Sequence, residues 1–201
     1  RFPGAGTAFG QEGPCLLCDN IDATAFAQAA KTGIGNIDIS DDGATLYAVT
    51  LADRKLYSVN TGGAPMATEI ADAPWLSGAA CADTGVARPW AVTAQRGKVY
   101  VGTVCDASAS TICNATGSCA DLTAQVHVYD PLNVSWSQAF ASPIPLTYFH
   151  DHFQVTSPAQ EVWHPWVDSW SQMAPYMDFT LPSVPSDASY PQPILADIEF
   201  D

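Results

Sequence analysis

The chain has 201 residues, of which 21 are acidic and 7 basic, for a net charge of −14, and every basic residue lies at or before Lys98. Attraction to phosphate backbones and anionic lipid headgroups depends on Lys and Arg, so this balance excludes nucleic acid as a partner; the absence of an apolar run of about 18 residues excludes membrane insertion. A hydrophobic share of 47% against 14% charged residues, punctuated by 14 Gly and 15 Pro, favours an all-β chain of short strands and turns.

Residues 1–34 read as an irregular N-terminal segment, rich in Gly and Ala, with a helix-compatible patch at Ala23–Lys31 and the sequence Cys15-Leu16-Leu17-Cys18. Residues 35–131 carry the strongest signal. Asn36–Ser40 is a predicted strand, Asp41-Asp42-Gly43 a turn and Ala44–Leu51 a second strand; a turn at Ala52-Asp53-Arg54 leads into Lys55–Asn60. Glycine supplies the positive φ of the Asp-Gly turn, and the aromatic and β-branched residues on either side suit a half-buried pleated surface. The pattern recurs in Ala87–Ala94, the turn Gln95-Arg96-Gly97, Lys98–Val104 and Ala124–Tyr129, interrupted by an insertion at Cys105–Cys119. Two successive antiparallel meanders of one form predict two blades of a partial β-propeller.

Residues 132–195 break the pattern. They form an irregular excursion rich in aromatic residues and Pro, containing Trp136, Trp163, Trp166 and Trp170 and no basic side chain. Residues 196–201 (ADIEFD) then repeat Gly35–Ser40 (GNIDIS) in kind, the expected first strand of a further blade. A lone strand leaves its ladder groups unpaired, so the chain is expected to be a fragment, completed by more of its parent chain or by another segment.

Six cysteines in this length point to an oxidising, extracellular compartment and three disulfides. The sequence allows fifteen pairings and does not choose among them. Cys113 and Cys119 bracket a small polar loop, Cys81 and Cys105 flank the most strand-like region, and Cys15 and Cys18 remain as a local pair. Zinc is the rival account, but no second close pair of thiolates or imidazoles follows Cys15 and Cys18 at the spacing of a structural zinc site.

The segments Gly33–Asn60, Ala87–Ser108, Thr123–Pro131 and Tyr190–Asp201 resemble the propeller-like region that large bacterial extracellular proteins carry ahead of repeated Cna B-type (SdrD-like) immunoglobulin-like modules. The resemblance implies a secreted or cell-surface location and a chain that continues past Asp201. It transfers no catalytic residue.

The residues that can carry chemistry are few. His150 and His152 alternate along an extended segment and so face one side, where two imidazoles can meet a transition metal. Asp38, Asp41 and Asp42 gather hard oxygen ligands around a turn and suit calcium, although a solvated hairpin turn explains them fully and no cofactor is expected. Trp163, Trp166 and Trp170, with Tyr148 and Phe149, offer flat rings for sugar stacking or a protein interface, or simply core. Asn114 and Asn133 begin glycosylation sequons. No nucleophile elbow and no phosphate-cradling glycine loop is present.

These features favour a non-enzymatic extracellular module with a structural, adhesive or assembly role, its partners other protein chains or the rest of its parent. Two alternatives stand beside it: a metal-dependent propeller hydrolase of lactonase or esterase type, and a carbohydrate-binding module built on the Trp group. The sequence fixes no activity.

Overall fold

The computed structural model describes residues 27–77, 81, 84–113, 120–144, 163–169, 172 and 192–200. Eight strands follow one another: β1 (Ile34–Ile39), β2 (Thr45–Thr50), β3 (Leu56–Asn60), β4 (Ala67–Glu69), β5 (Ala87–Gln95), β6 (Lys98–Cys105), β7 (Thr123–Asp130) and β8 (Ser135–Pro143). Each group of four forms one antiparallel sheet in simple sequence order, β1-β2-β3-β4 and β5-β6-β7-β8. A short 3-10 turn, Pro74–Ser77, connects them.

The turns explain the meanders. Between β1 and β2 the amide of Thr45 donates to the Ser40 hydroxyl, that of Ser40 to the Thr45 carbonyl at 2.8 Å, and Gly43 takes φ 71°. Between β5 and β6 the corner is a two-residue turn in which Arg96 (φ 50°) and Gly97 (φ 71°) both lie in the left-handed region, the geometry whose twist matches antiparallel strands. The Gly97 position requires this freedom; a Cβ there meets nothing within 4 Å but would be strained by its φ.

The sheets stack face to face, with β1 and β2 against β5. Between them lies one core of Tyr47, Val49, Leu51 and Leu56 from the first sheet, Trp75 from the connector, and Val92, Val99, Val101 and Tyr129 from the second. Cys81 and Cys105 are joined across the edge of this layer, as the sequence pairing expected, and Cys113 is also disulfide-bonded. Cys15, Cys18 and Cys119 lie outside the described residues.

Three expectations change. The excursion placed at 132–195 begins too early, because β8 (Ser135–Pro143) is the fourth strand of the second sheet, paired with β7 from Thr123↔Pro143 to Asp130↔Ser135. Its run of Ser, Ala and Gln has little β propensity; cross-strand pairing and the packing of Trp136 hold it in place. The first sheet likewise gains a short fourth strand, β4, whose three residues give no periodic signal. Residues 196–200 run along β5, with the Ala91 amide donating to the Leu195 carbonyl at 3.0 Å and the Thr93 hydroxyl to the Ile198 carbonyl at 2.9 Å, but they form no ladder. The partial propeller reduces, among the described residues, to two stacked four-stranded sheets with an extended segment laid on the second.

Candidate functional site

The seam between the sheets gathers most of the described polar machinery. At one end the β1–β2 corner leans over the β5–β6 hairpin. Asp38 accepts from the Ala94 amide at 2.8 Å as well as from the Ile39 amide, and Asp41 accepts from the Gly97 amide at 2.9 Å. Asp42 stays within its own turn, taking the Ser40 hydroxyl at 2.6 Å and the Ala44 amide at 3.0 Å; the Ser40 bond is the main cause that holds its carboxyl below the ordinary range. The three aspartates expected as calcium ligands are therefore occupied by backbone and hydroxyl donors, two of them from across the seam. Among the described residues no group of three or more His, Cys, Asp and Glu side chains is placed to hold a metal ion.

Beside this corner opens a cleft of about 420 Å³, lined among others by Asp41, Asp42, Tyr47, Lys98, Val99 and Leu132. Lys98 on its wall pairs with Asp130, which also accepts from the Leu132 amide and the Asn133 side chain; Lys98 is the largest influence in drawing the Asp130 carboxyl down to about 2. Tyr47 is buried and its phenol raised by that burial. Ser40 and Asp42, which also line the cleft, are bound to each other within the β1–β2 turn. Asn133 is exposed on the rim, its side-chain amide engaged by Asp130.

At the opposite end of β5 and β6 lies a polar knot that the sequence did not announce. Asp106, 0% exposed, accepts from the Val86 amide at 2.8 Å, the Ser108 amide at 3.0 Å and Arg88 Nε at 2.6 Å. The Arg88 guanidinium lies 4.6 Å from the centre of the Trp166 ring, and the Trp166 amide donates to the Asp106 carbonyl at 2.9 Å. Trp166 is 3% exposed, and its indole donates to the Pro193 carbonyl at 3.0 Å. Its ring is covered by cations of its own chain, Arg88 above all, so it offers no open face to a sugar. It acts as an anchor that fastens the 163–169 segment to the second sheet. Trp163 is half-buried, packed like Cys113 and Ile144 against the small cluster of Ala107 and Leu122. Tyr148, Phe149, His150, His152, Trp170 and Asn114 lie outside the described residues.

The seam holds one further group that sequence reasoning passed over. His127, in the middle of β7, points into the layer between the sheets with Gln125 and Tyr129. The alternation of AQVHVY points the other way: its valines mark the apolar face, yet the face of Gln125, His127 and Tyr129 is the one that turns into the layer.

Comparison with protein-family models, with curated proteins and with solved structures found no match to this chain.

Proposed function

We propose that the chain is a non-enzymatic structural and assembly module, made of two neighbouring blades of a propeller in an extracellular, cell-surface protein of the kind its sequence resembles. The observation that carries this reading is that both faces of the second sheet are used alike. One face takes the first sheet through β1 and β2, and the other takes residues 192–200, whose Leu195 side chain lies over Gly102 and whose Phe200 ring meets Tyr100 at 4.6 Å. An inner strand thus has another chain segment on either side of it, as successive blades do around an axis.

The outer face of the first sheet extends the same logic. Ile37 and Ile39 of β1 are 52% and 46% exposed, and the strand pairings place Leu46, Ala48, Tyr57 and Val59 on their side. A sheet face of this composition is suited to another sheet, supplied by the parent chain. The chemistry of the module is apolar burial and strand stacking, and the disulfide suits an oxidising compartment.

The test combines surface mutation with metal and ligand measurements. Ile37→Asp with Ile39→Asp should leave thermal stability within about 1 kcal/mol, since both side chains are already half in water, while abolishing binding of an apolar fluorescent dye to this face. Stoichiometric divalent metal together with chelator-sensitive lactone or ester hydrolysis would move the molecule to the hydrolase class. Saturable oligosaccharide binding lost in Trp163→Ala would move it to the carbohydrate-binding class.

A further inference from the structure

His127 is 3% exposed, and among the described residues neither of its ring nitrogens meets a hydrogen-bond partner. Its ring lies 5.4 Å from that of Trp75, tilted by 51°. Trp75 is the centre of the connector between the sheets. Its indole donates to the Arg54 carbonyl at 2.6 Å in the turn between β2 and β3, and its ring meets Trp136 of β8 edge-on at 5.1 Å. The Trp136 indole in turn donates to the Ala71 carbonyl at 3.0 Å. His127, Trp75 and Trp136 therefore form one aromatic stack through which the second sheet grips the connector.

An uncharged imidazole can occupy this position as a flat ring, but an imidazolium there would be a buried, uncompensated cation. The groups around it offer no counter-charge. Along β7 its neighbours on the same face are Gln125 and Tyr129; β6 brings Val101 opposite and Thr103 diagonally; β8 brings Gln138 and Trp136; the connector brings Trp75; and the first sheet adds Tyr47 and Leu56 to the layer. None of these carries a carboxylate. Burial is the cause that holds the His127 ring below the ordinary imidazole range.

We propose that His127 is an acid-sensitive latch of the seam: neutral, it completes the stack that ties the connector to the second sheet, and once protonated it has to leave the layer and release the connector. The sign follows from linkage. The unfolded or opened chain binds the proton and the closed chain does not, so stability is full above the ordinary imidazole range and is lost as pH falls below it. For a group with an ordinary value of about 6.5 that stays neutral when closed, the opening constant rises about 30-fold between pH 7.5 and pH 5.

The experiment is urea unfolding at pH 7.5 and pH 5 of the wild type, of His127→Phe and of His127→Leu, with imidazole NMR titration of the wild type. The expected result is an opening constant that rises toward 30-fold in the wild type, a ratio cut by at least ten in both variants, and a His127 signal that titrates below the ordinary imidazole range and broadens as the connector loosens. The idea is overturned if either variant keeps the wild-type ratio, or if the His127 ring titrates in its ordinary range with the seam closed. The NMR reading stands even where both variants fail to fold.

Discussion

Replacing Asp106 with alanine is the sharpest test of the knot beside the seam. The carboxylate is fully buried and receives two backbone amides, Val86 and Ser108, together with the Arg88 guanidinium at 2.6 Å. Alanine leaves a cation whose side chain is 17% exposed, roofed by the Trp166 ring, with the exposed Asp168 carboxylate as its remaining counter-charge among the described residues, and it orphans both amides. Breaking a buried pair from one side costs about 3–5 kcal/mol, of which the unmet donors are part. For a chain of this length that is a fall in melting temperature of about 12 °C. Asp106→Asn keeps the shape and one acceptor, so it should lose about half as much. The double variant Asp106→Ala with Arg88→Met should recover part of the loss, because it removes the stranded charge instead of adding a second defect. Denaturant unfolding monitored by Trp fluorescence reads all three. An Asp106→Ala protein within about 1 kcal/mol of wild type would refute the view that this carboxylate organises the end of the second sheet.

The remaining predictions concern the staple, the laid-on segment and the hairpin corner. The bond between Cys81 and Cys105 closes a loop with a sequence separation of 24, so Cys81→Ala with Cys105→Ala should lower unfolding free energy by about 3 kcal/mol; unchanged denaturant midpoints would count against a structural role. A Cβ at Gly102 would stand 2.8 Å from the Leu195 side chain, so Gly102→Ala should push residues 192–200 off the sheet, costing about 1–3 kcal/mol and exposing the Ala91 amide to hydrogen exchange, while unaltered exchange there would show that the contact is dispensable. The Asp130 carboxyl should titrate near 2 by NMR, and Lys98→Ala should raise it toward the ordinary value of about 3.9. Because the folded value is depressed, what this carboxylate adds to the β7–β8 corner is complete above the ordinary carboxylate range and is lost as pH falls toward 2. A midpoint that ignores Lys98 would contradict that.

How much of this could be read from residues alone depended on what each element had to signal. Strands β1, β2, β3, β5, β6 and β7 lie within a residue or two of their expected bounds, because alternating β-branched and aromatic residues between Gly-containing turns leave few other conformations. Strand β8 escaped because Ser, Ala and Gln make up most of it; its place is set by ladder bonds to β7 and by Trp136, which are tertiary facts. The pairing of Cys81 with Cys105 was legible since both flank strands that have to meet. The knot of Arg88, Asp106 and Trp166 joins residues up to 78 positions apart, with no spacing rule to link them. Trp166 was singled out for sugar stacking, a protein interface or core, and the structure places it buried under Arg88 of its own chain.

The acidic composition also reads differently once the partners are known. The chain carries a net charge of −14, and many of the described aspartates are acceptors for backbone amides and hydroxyls. Asp42 caps its own turn, Asp53 takes the Lys55 amide and the Tyr57 hydroxyl, Asp106 takes two amides, Asp130 takes Leu132 and Asn133, and Asp197 takes Ile198. Asp38 and Asp41 reach across to the amides of the neighbouring sheet. The short arm of aspartate suits this work, since its carboxylate reaches an amide one to three residues away, where glutamate would overshoot. In a chain built of many tight turns and stacked edges, each corner leaves amides that no ladder satisfies, and carboxylates fill them with charge-assisted bonds. The negative charge is thus partly a by-product of how the turns and the seam are closed. Neutralising Asp38 or Asp41 should therefore loosen the contact between the sheets before it alters solubility.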